Sequence, residues 1–223
     1  MLPISSIFDF LNKLKQNNTK EWFDSNRKEY EQLKVHLKNA ATEMINRIIV
    51  FDPTIAALEP KDCLFRINRD VRFSTNKSPY KTNIGMSFTK GGKKSMYAGY
   101  YLQIQPGEES FVAGGLYMPP TEIVKKVRDQ IDYNPKEIEK IIVQKDFKKY
   151  FDNISGDKLI KPPKGYDANH PQIELLKHKS FLMWHKITDA ELLKMNVIPE
   201  ISKIFEAMKP LNDYLNTAID NEV

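Results

Sequence analysis

The chain has 223 residues, 41% hydrophobic and 28% charged, with a mean hydropathy of -0.51. That composition supplies a sizeable core and excludes a disordered or membrane-spanning chain, since no apolar run approaches the ~20 residues that cross a bilayer. The net charge of +5 is unevenly placed: residues 61–100 hold nine Lys/Arg against Asp62 and Asp70, so the remainder is net negative.

The opening MLPISSIFDF has no basic leader and no small-residue cleavage site, so it does not read as a signal peptide. Ser5 or Ser6 can cap a first helix with Ile7, Leu11 and Leu14 on one stripe, ending at Asn17-Asn18. Thr19 is the expected N-cap of a second helix. Its stripe of Trp22, Tyr30, Leu33, Leu37, Ala41, Met44 and Ile48 keeps the helical period as far as Asp52-Pro53. The period then changes. Cys63, Phe65, Ile67, Val71 and Phe73 alternate with Arg66, Asn68, Asp70 and Arg72, which predicts a strand over 63–73. Further strands are expected at 83–89, 96–105 and 111–118, with turns at Gly91-Gly92 and Pro106-Gly107. Gly114-Gly115 inside the last strand marks a bulge or a close backbone approach.

Helical spacing returns after Pro119 with Ile123, Val127 and Ile131. Asn134-Pro135-Lys136-Glu137 then reads as a capping-box start. Residues 155–171 form a proline- and glycine-rich loop. A last helical region carries Leu192, Leu193, Ile201, Ile204, Phe205, Met208 and Leu215, with interruptions expected near Pro199 and Pro210. Strands bracketed by helices predict an α+β fold, a mainly antiparallel sheet flanked by N-terminal and C-terminal helices, in a single domain over 1–223.

The most pointed chemistry lies in FRINRDVRFSTNKSPYKTNIG. Arg66, Arg69, Arg72, Lys77 and Lys81 are interleaved with the neutral donors Ser74, Tyr80 and Thr82. Guanidinium forks suit two-point contact with phosphate or carboxylate, and convergent cations repel unless an anion compensates them. The same residues fit an internal network, because an arginine on an apolar face needs a partner of its own. Asp167 and His170 are candidates for orienter and general base, with a backbone-bonding turn as the competing reading of Asp167. Tyr80 is a second candidate for proton transfer. Four scattered histidines and one cysteine give no zinc spacing, and no nucleotide-loop motif implies a cofactor. Cys63, the sole cysteine, excludes an intrachain disulfide and fits a reducing cytoplasmic setting, where it reads as a small buried hydrophobe.

The order CLFRINRDVRFS, KSPYKTNIG, AGYYLQIQPG, GGLYMPP and PKGYDANHP, preceded by NNTKEWFDSNRKEYE, resembles the family catalogued as domain of unknown function 2461. The resemblance runs from the first helix through the His170-Pro171 loop. It departs from the family pattern at Asn68, often aromatic there, and at Tyr117, where tryptophan is usual. The resemblance implies one intact domain and carries no activity, cofactor or catalytic residue to transfer. The residues themselves point first to recognition of an anionic small molecule by the Arg/Lys cluster. Nucleic-acid binding, assisted by Lys90–Lys94, and an enzyme that stabilises developing negative charge are the alternatives. No membrane partner is expected, and the sequence leaves the oligomeric state open.

Overall fold

The computed structural model describes residues 2–221, and the chain is α+β. Helices α1 (Ile4–Gln16), α2 (Lys20–Ser25) and α3 (Arg27–Ile48) come first, followed by a short 3-10 turn and α4 (Pro60–Cys63). Three strands succeed one another as a meander: β1 (Ile84–Phe88), β2 (Gly99–Ile104) and β3 (Ser110–Leu116). Helices α5 (Thr121–Tyr133), α6 (Pro135–Ile142), α7 (Lys145–Tyr150) and α8 (Ile173–Leu176) intervene before β4 (Phe181–Ile187). Helices α9 (Asp189–Lys194) and α10 (Val197–Asp220) close the chain. The strands lie in the order β1-β2-β3-β4, every pair antiparallel. No helix of the described residues is long and apolar enough to cross a membrane.

Helix α10 packs across β2 and β3 on one face of the sheet and also meets α3. Its apolar stripe, including Ile201, Phe205, Met208, Leu211 and Leu215, is buried against Phe88, Tyr100, Leu102 and Val112. Polar groups lock the same contact. Asn212 Nδ2 donates to the Gly99 carbonyl (3.1 Å), and Asn216 bonds both the N–H and the carbonyl of Ala98 (2.7 and 3.2 Å). Beneath them the buried Tyr100 hydroxyl donates to Asp52 (2.8 Å), whose other oxygen accepts from Thr54 N and Oγ1.

Several sequence expectations need correction. The 63–73 strand is absent. Helix α4 runs to Cys63, and Leu64 and Asn68 make only isolated bridges, to Met86 and Tyr80. Side chains take the backbone bonds that a ladder would need: Asp70 Oδ1 accepts from Arg72 N, and Arg69 donates to the Ser78 carbonyl. The long second helix is two, broken where Asn26 Nδ2 donates to the Trp22 carbonyl. Thr19 does cap the first of these, accepting from Trp22 N (3.2 Å). Pro135 opens α6, but Asn134 makes no side-chain cap bond; its amide instead reaches Glu137 Oε2. Helix α10 is continuous. Pro199 lies in its first turn, where the missing N–H has no partner to lose, and Pro210 leaves unpaired only the carbonyl of the exposed Glu206. Strand β4 had not been anticipated, although Phe181, Met183 and Ile187 alternate with Leu182, Trp184 and Lys186.

Gly115 shows how tightly β3 and β4 approach. It holds φ +102°, and a Cβ built there runs into the Phe181 carbonyl oxygen. Gly107 has a similar φ of +92° with open space around it. Gly115→Ala is therefore expected to lower the urea midpoint well beyond Gly107→Ala, which carries only the ~1 kcal/mol conformational cost.

His178 is 1% exposed, with Nδ1 3.1 Å from the Ser180 carbonyl. Burial, reinforced by the charge of Lys158, pushes its pKa from 6.5 down to about 4. The folded protein keeps the ring neutral, whereas the unfolded chain takes up a proton below pH 6.5. Stability is thus full above pH 6.5 and declines as pH falls towards 4, by up to about 3 kcal/mol from this group. Urea titrations of wild type and His178→Asn at pH 7 and 4.5 should show a shallower loss in the variant.

Candidate functional site

The donor-rich segment is held at two points. Phe65 N donates to the Gly85 carbonyl (3.1 Å), which lays Leu64 and Phe65 along the free edge of β1. Further on, Lys81 N donates to Ile67 O (2.7 Å) and Arg69 N to Pro79 O (2.8 Å), closing 67–81 as a loop. Asn18, in the α1–α2 connection, clamps the base. Its amide donates to the Tyr80 carbonyl and its oxygen accepts from Tyr80 N, both at 3.0 Å. The Tyr80 ring is buried and stacks on Phe23, with ring centres 4.1 Å apart.

These anchors separate the cations. Arg69 is consumed within the loop, donating to Ser78 O (3.0 Å) and to Ser74 Oγ (3.2 Å). Arg72 forks onto Asp70 (3.0 and 2.7 Å) and holds that carboxyl below its usual range. Lys77 Nζ caps the Val71 carbonyl (3.1 Å). Ser74 is spent on Arg69, Tyr80 is a packing residue, and Thr82 is half-buried at the loop's exit. The five cations do not converge. Arg66 and Lys81 remain without a carboxylate within 4.0 Å among the described residues. The Lys81 ammonium sits 5.4 Å from the centre of the Phe65 ring, and burial together with Arg66 lowers its pKa.

Arg66 instead belongs to a groove of about 340 Å³ between α3 and the 61–68 segment. Tyr30, Leu37, Leu64, Ile67 and Ile84 supply apolar lining, while Arg27, Lys34, Lys38, Lys61 and Arg66 bring positive charge. Three of these cations have partners: Arg27 with Asp24, Lys34 with Glu31 (2.8 Å) and Lys61 with Glu59 (2.7 Å). Lys38 and Arg66 have none among the described residues, and Glu31 is the sole acid in the lining. Burial pushes the Tyr30 hydroxyl up to about 12, so it stays a proton donor at neutral pH. The spacing Arg27, Tyr30, Lys34, Lys38 marks one helical face. In sequence that pattern is indistinguishable from an ordinary solvated face, and the α3 half of the groove was missed.

The second constellation is rearranged. Asp167 Oδ1 accepts from Asn169 N (2.7 Å) in a local turn and does not touch the imidazole. His170 Nε2 lies 2.9 Å from Asp132 on α5, and its Nδ1 accepts from Gln172 N (3.0 Å). Both ring nitrogens are occupied. The neighbouring Tyr166 hydroxyl donates to Asp129 (3.0 Å). Cys63 is fully buried and its thiol is pushed up to about 12 by burial, so it is a packing group. Lys90 binds Asp220 and Lys93 donates to the Lys61 carbonyl, which ties down the lysine-rich turn. Gly114 allows close approach of Met208, and no group of His, Cys, Asp and Glu among the described residues is placed to hold a metal ion.

Comparison with known proteins adds a family and no activity. The model described as "Conserved hypothetical protein (DUF2461)" matches residues 6–214, and the chain belongs to that family. The match continues beyond the His170 loop, through β4 and into α10. No curated protein and no solved structure matches the chain.

The geometry separates two arginines by role. Arg69→Ala should lower stability by about 1.5–3 kcal/mol, because two charge-assisted bonds that close the loop are lost. Arg72→Ala, which breaks one exposed pair, should stay within about 0.5 kcal/mol. Urea unfolding followed by circular dichroism distinguishes the two.

Proposed function

We propose that the groove between α3 and the 61–68 segment binds a small molecule that joins an apolar or aromatic body to a phosphate or carboxylate. The observation that carries this reading is the pair Arg66 and Lys38, one from each wall, unpaired beside an apolar lining. Like charges lining one groove repel, and Glu31, the sole acid of its lining, already serves Lys34. A bound oxyanion relieves that repulsion, with the planar fork of Arg66 suited to two of its oxygens. The Tyr30 hydroxyl is a neutral donor to the same group, and the volume suits a metabolite-sized ligand.

Lys81 stands next to Arg66 as a supporting positive charge. Arg69, Arg72, Lys77 and Ser74 shape the loop rather than contact ligand in this reading, and Tyr80 and Thr82 carry it. Binding is proposed without catalysis: Glu31, the one carboxylate of the lining, is paired with Lys34, Tyr30 is pushed up to about 12, and His170 lies outside the groove, committed to Asp132.

Isothermal titration with adenosine monophosphate and with phenyl phosphate tests the reading. Arg66→Ala and Lys38→Ala should each weaken binding about tenfold or more without changing the melting temperature, while Arg72→Ala binds as wild type. Equal affinity in all three variants, or no binding of either phosphate ester by wild type, sinks the proposal.

A further inference from the structure

The two faces of the sheet differ in a way the groove does not explain. Helix α10 covers the face of Tyr100, Leu102 and Val112. The alternate residues, Tyr101, Phe111 and Trp184, point to the other side. The Leu64–Met86 bridge places Phe65 on that side as well, next to Gly85. The four aromatic rings form a continuous row: Phe65 to Tyr101 at 6.1 Å, Tyr101 to Phe111 at 5.7 Å and Phe111 to Trp184 at 5.9 Å. Trp184 is 50% exposed and Phe65 38%, while Tyr101 and Phe111 are partly exposed.

A solvated face of an antiparallel sheet ordinarily carries polar side chains. Four rings in a row, from the segment at the edge of β1 through β2 and β3 to β4, mark a surface with a partner. We propose that this face is a stacking platform for a short segment of single-stranded nucleic acid, distinct from the groove, with which it shares Phe65 and the neighbouring charge of Lys81. Bases present flat π surfaces that aromatic side chains accept regardless of sequence. Centroids nearly 6 Å apart match an extended strand better than a stacked duplex, whose strand advances about 3.4 Å per residue.

Charge favours the same occupant. Lys81 lies over Phe65 at one end without a carboxylate partner, and Lys186 lies beside Phe111 and Trp184 at the other. Among the described residues the one ion-pair partner of Lys186 is Glu108, 4.0 Å away and itself accepting from Asp189 N; Glu109 is held by Gln105. Between the rings, Gln103 accepts from the Tyr101 hydroxyl and from Asn83 (both 3.2 Å), a row of amides able to exchange partners with base edges. A second copy of the chain seated face to face would bury those amides and bring lysines together, so self-association is the poorer fit.

The test is fluorescence anisotropy with dye-labelled dT15 and U15, at 50 mM salt and then at rising salt. Binding with a log–log salt slope near -1.4, about -0.7 for each of two lysines, supports the proposal. Trp184→Ala and Phe111→Ala should each weaken binding at least fivefold, and Lys81→Gln with Lys186→Gln should flatten the slope. Because Phe111 is partly buried, its variant counts only if circular dichroism is unchanged; Trp184→Ala, at a half-exposed site, stands alone. Arg66→Ala and Lys38→Ala should leave oligonucleotide binding intact, just as Trp184→Ala should leave adenosine monophosphate binding intact, so the two readings fail separately. No binding of either oligonucleotide at low salt overturns the inference. So does binding that Trp184→Ala leaves unchanged, or concentration-dependent dimerisation that Trp184→Ala abolishes without any oligonucleotide binding.

Discussion

Helix α10 lies across one face of the sheet, and its burial there governs the rest of the molecule. A four-stranded sheet must hide at least one apolar face, and 24 residues of helix are enough to cross it. Phe205 packs on both Phe88 and Tyr100, with ring centres 6.1 and 5.2 Å apart. Gly114 has no side chain because the Met208 sulfur occupies the space a Cβ would need. Asn212 and Asn216 bond backbone groups at the start of β2, so the helix also fixes where that strand begins. With α3 meeting the same helix from the N-terminal side, the apolar burial is concentrated on one side of the sheet. The opposite face keeps its aromatics near solvent.

The two sheet edges are each protected by a brief backbone contact. At β1, Leu64 and Phe65 pair for two residues and then leave. At β4, Ser155 and Leu182 exchange both N–H bonds (2.7 and 2.9 Å). Neither contact grows into a strand, and unpaired edges invite association unless something covers them. The edge beside β1 has a further consequence. Holding Leu64 and Phe65 against the strand sets Arg66 opposite α3, and so creates the groove wall.

Much of the architecture is legible in sequence because it rests on periodicity. The stripe of Ile7, Leu11 and Leu14, the three meander strands and the Thr19 cap all express local preferences that the tertiary structure keeps. The errors have a common physical source. Alternation over 63–73 looked like a strand, but Asp70 and Arg69 offered the backbone closer partners than a neighbouring strand could. Pro210 looked like a stop, yet packing on both sides of α10 outweighs one lost hydrogen bond. For the site, the cation-rich segment was visible and its disposition was not. The α3 wall lies some thirty residues upstream of Arg66, and helical spacing alone does not say that Lys38 faces another element.

The fate of each arginine follows from how far its backbone is free to move. Arg72 sits near the loop tip, two residues from Asp70, where its guanidinium also lies 5.8 Å from the centre of the exposed Phe73 ring, and it pairs locally. Arg69 sits just inside the bond that closes the loop, and its guanidinium turns inward to the Ser78 carbonyl that the closure brings near. Arg66 follows two residues held against β1, and its backbone position is set before any acid can be reached. A surface pair is worth little, and no rearrangement of that edge would be repaid by gaining one. A cation is therefore left without an acid partner where pairing with the β1 edge dictates its place, which is why Arg66, rather than Arg69 or Arg72, is the arginine of the proposed binding groove.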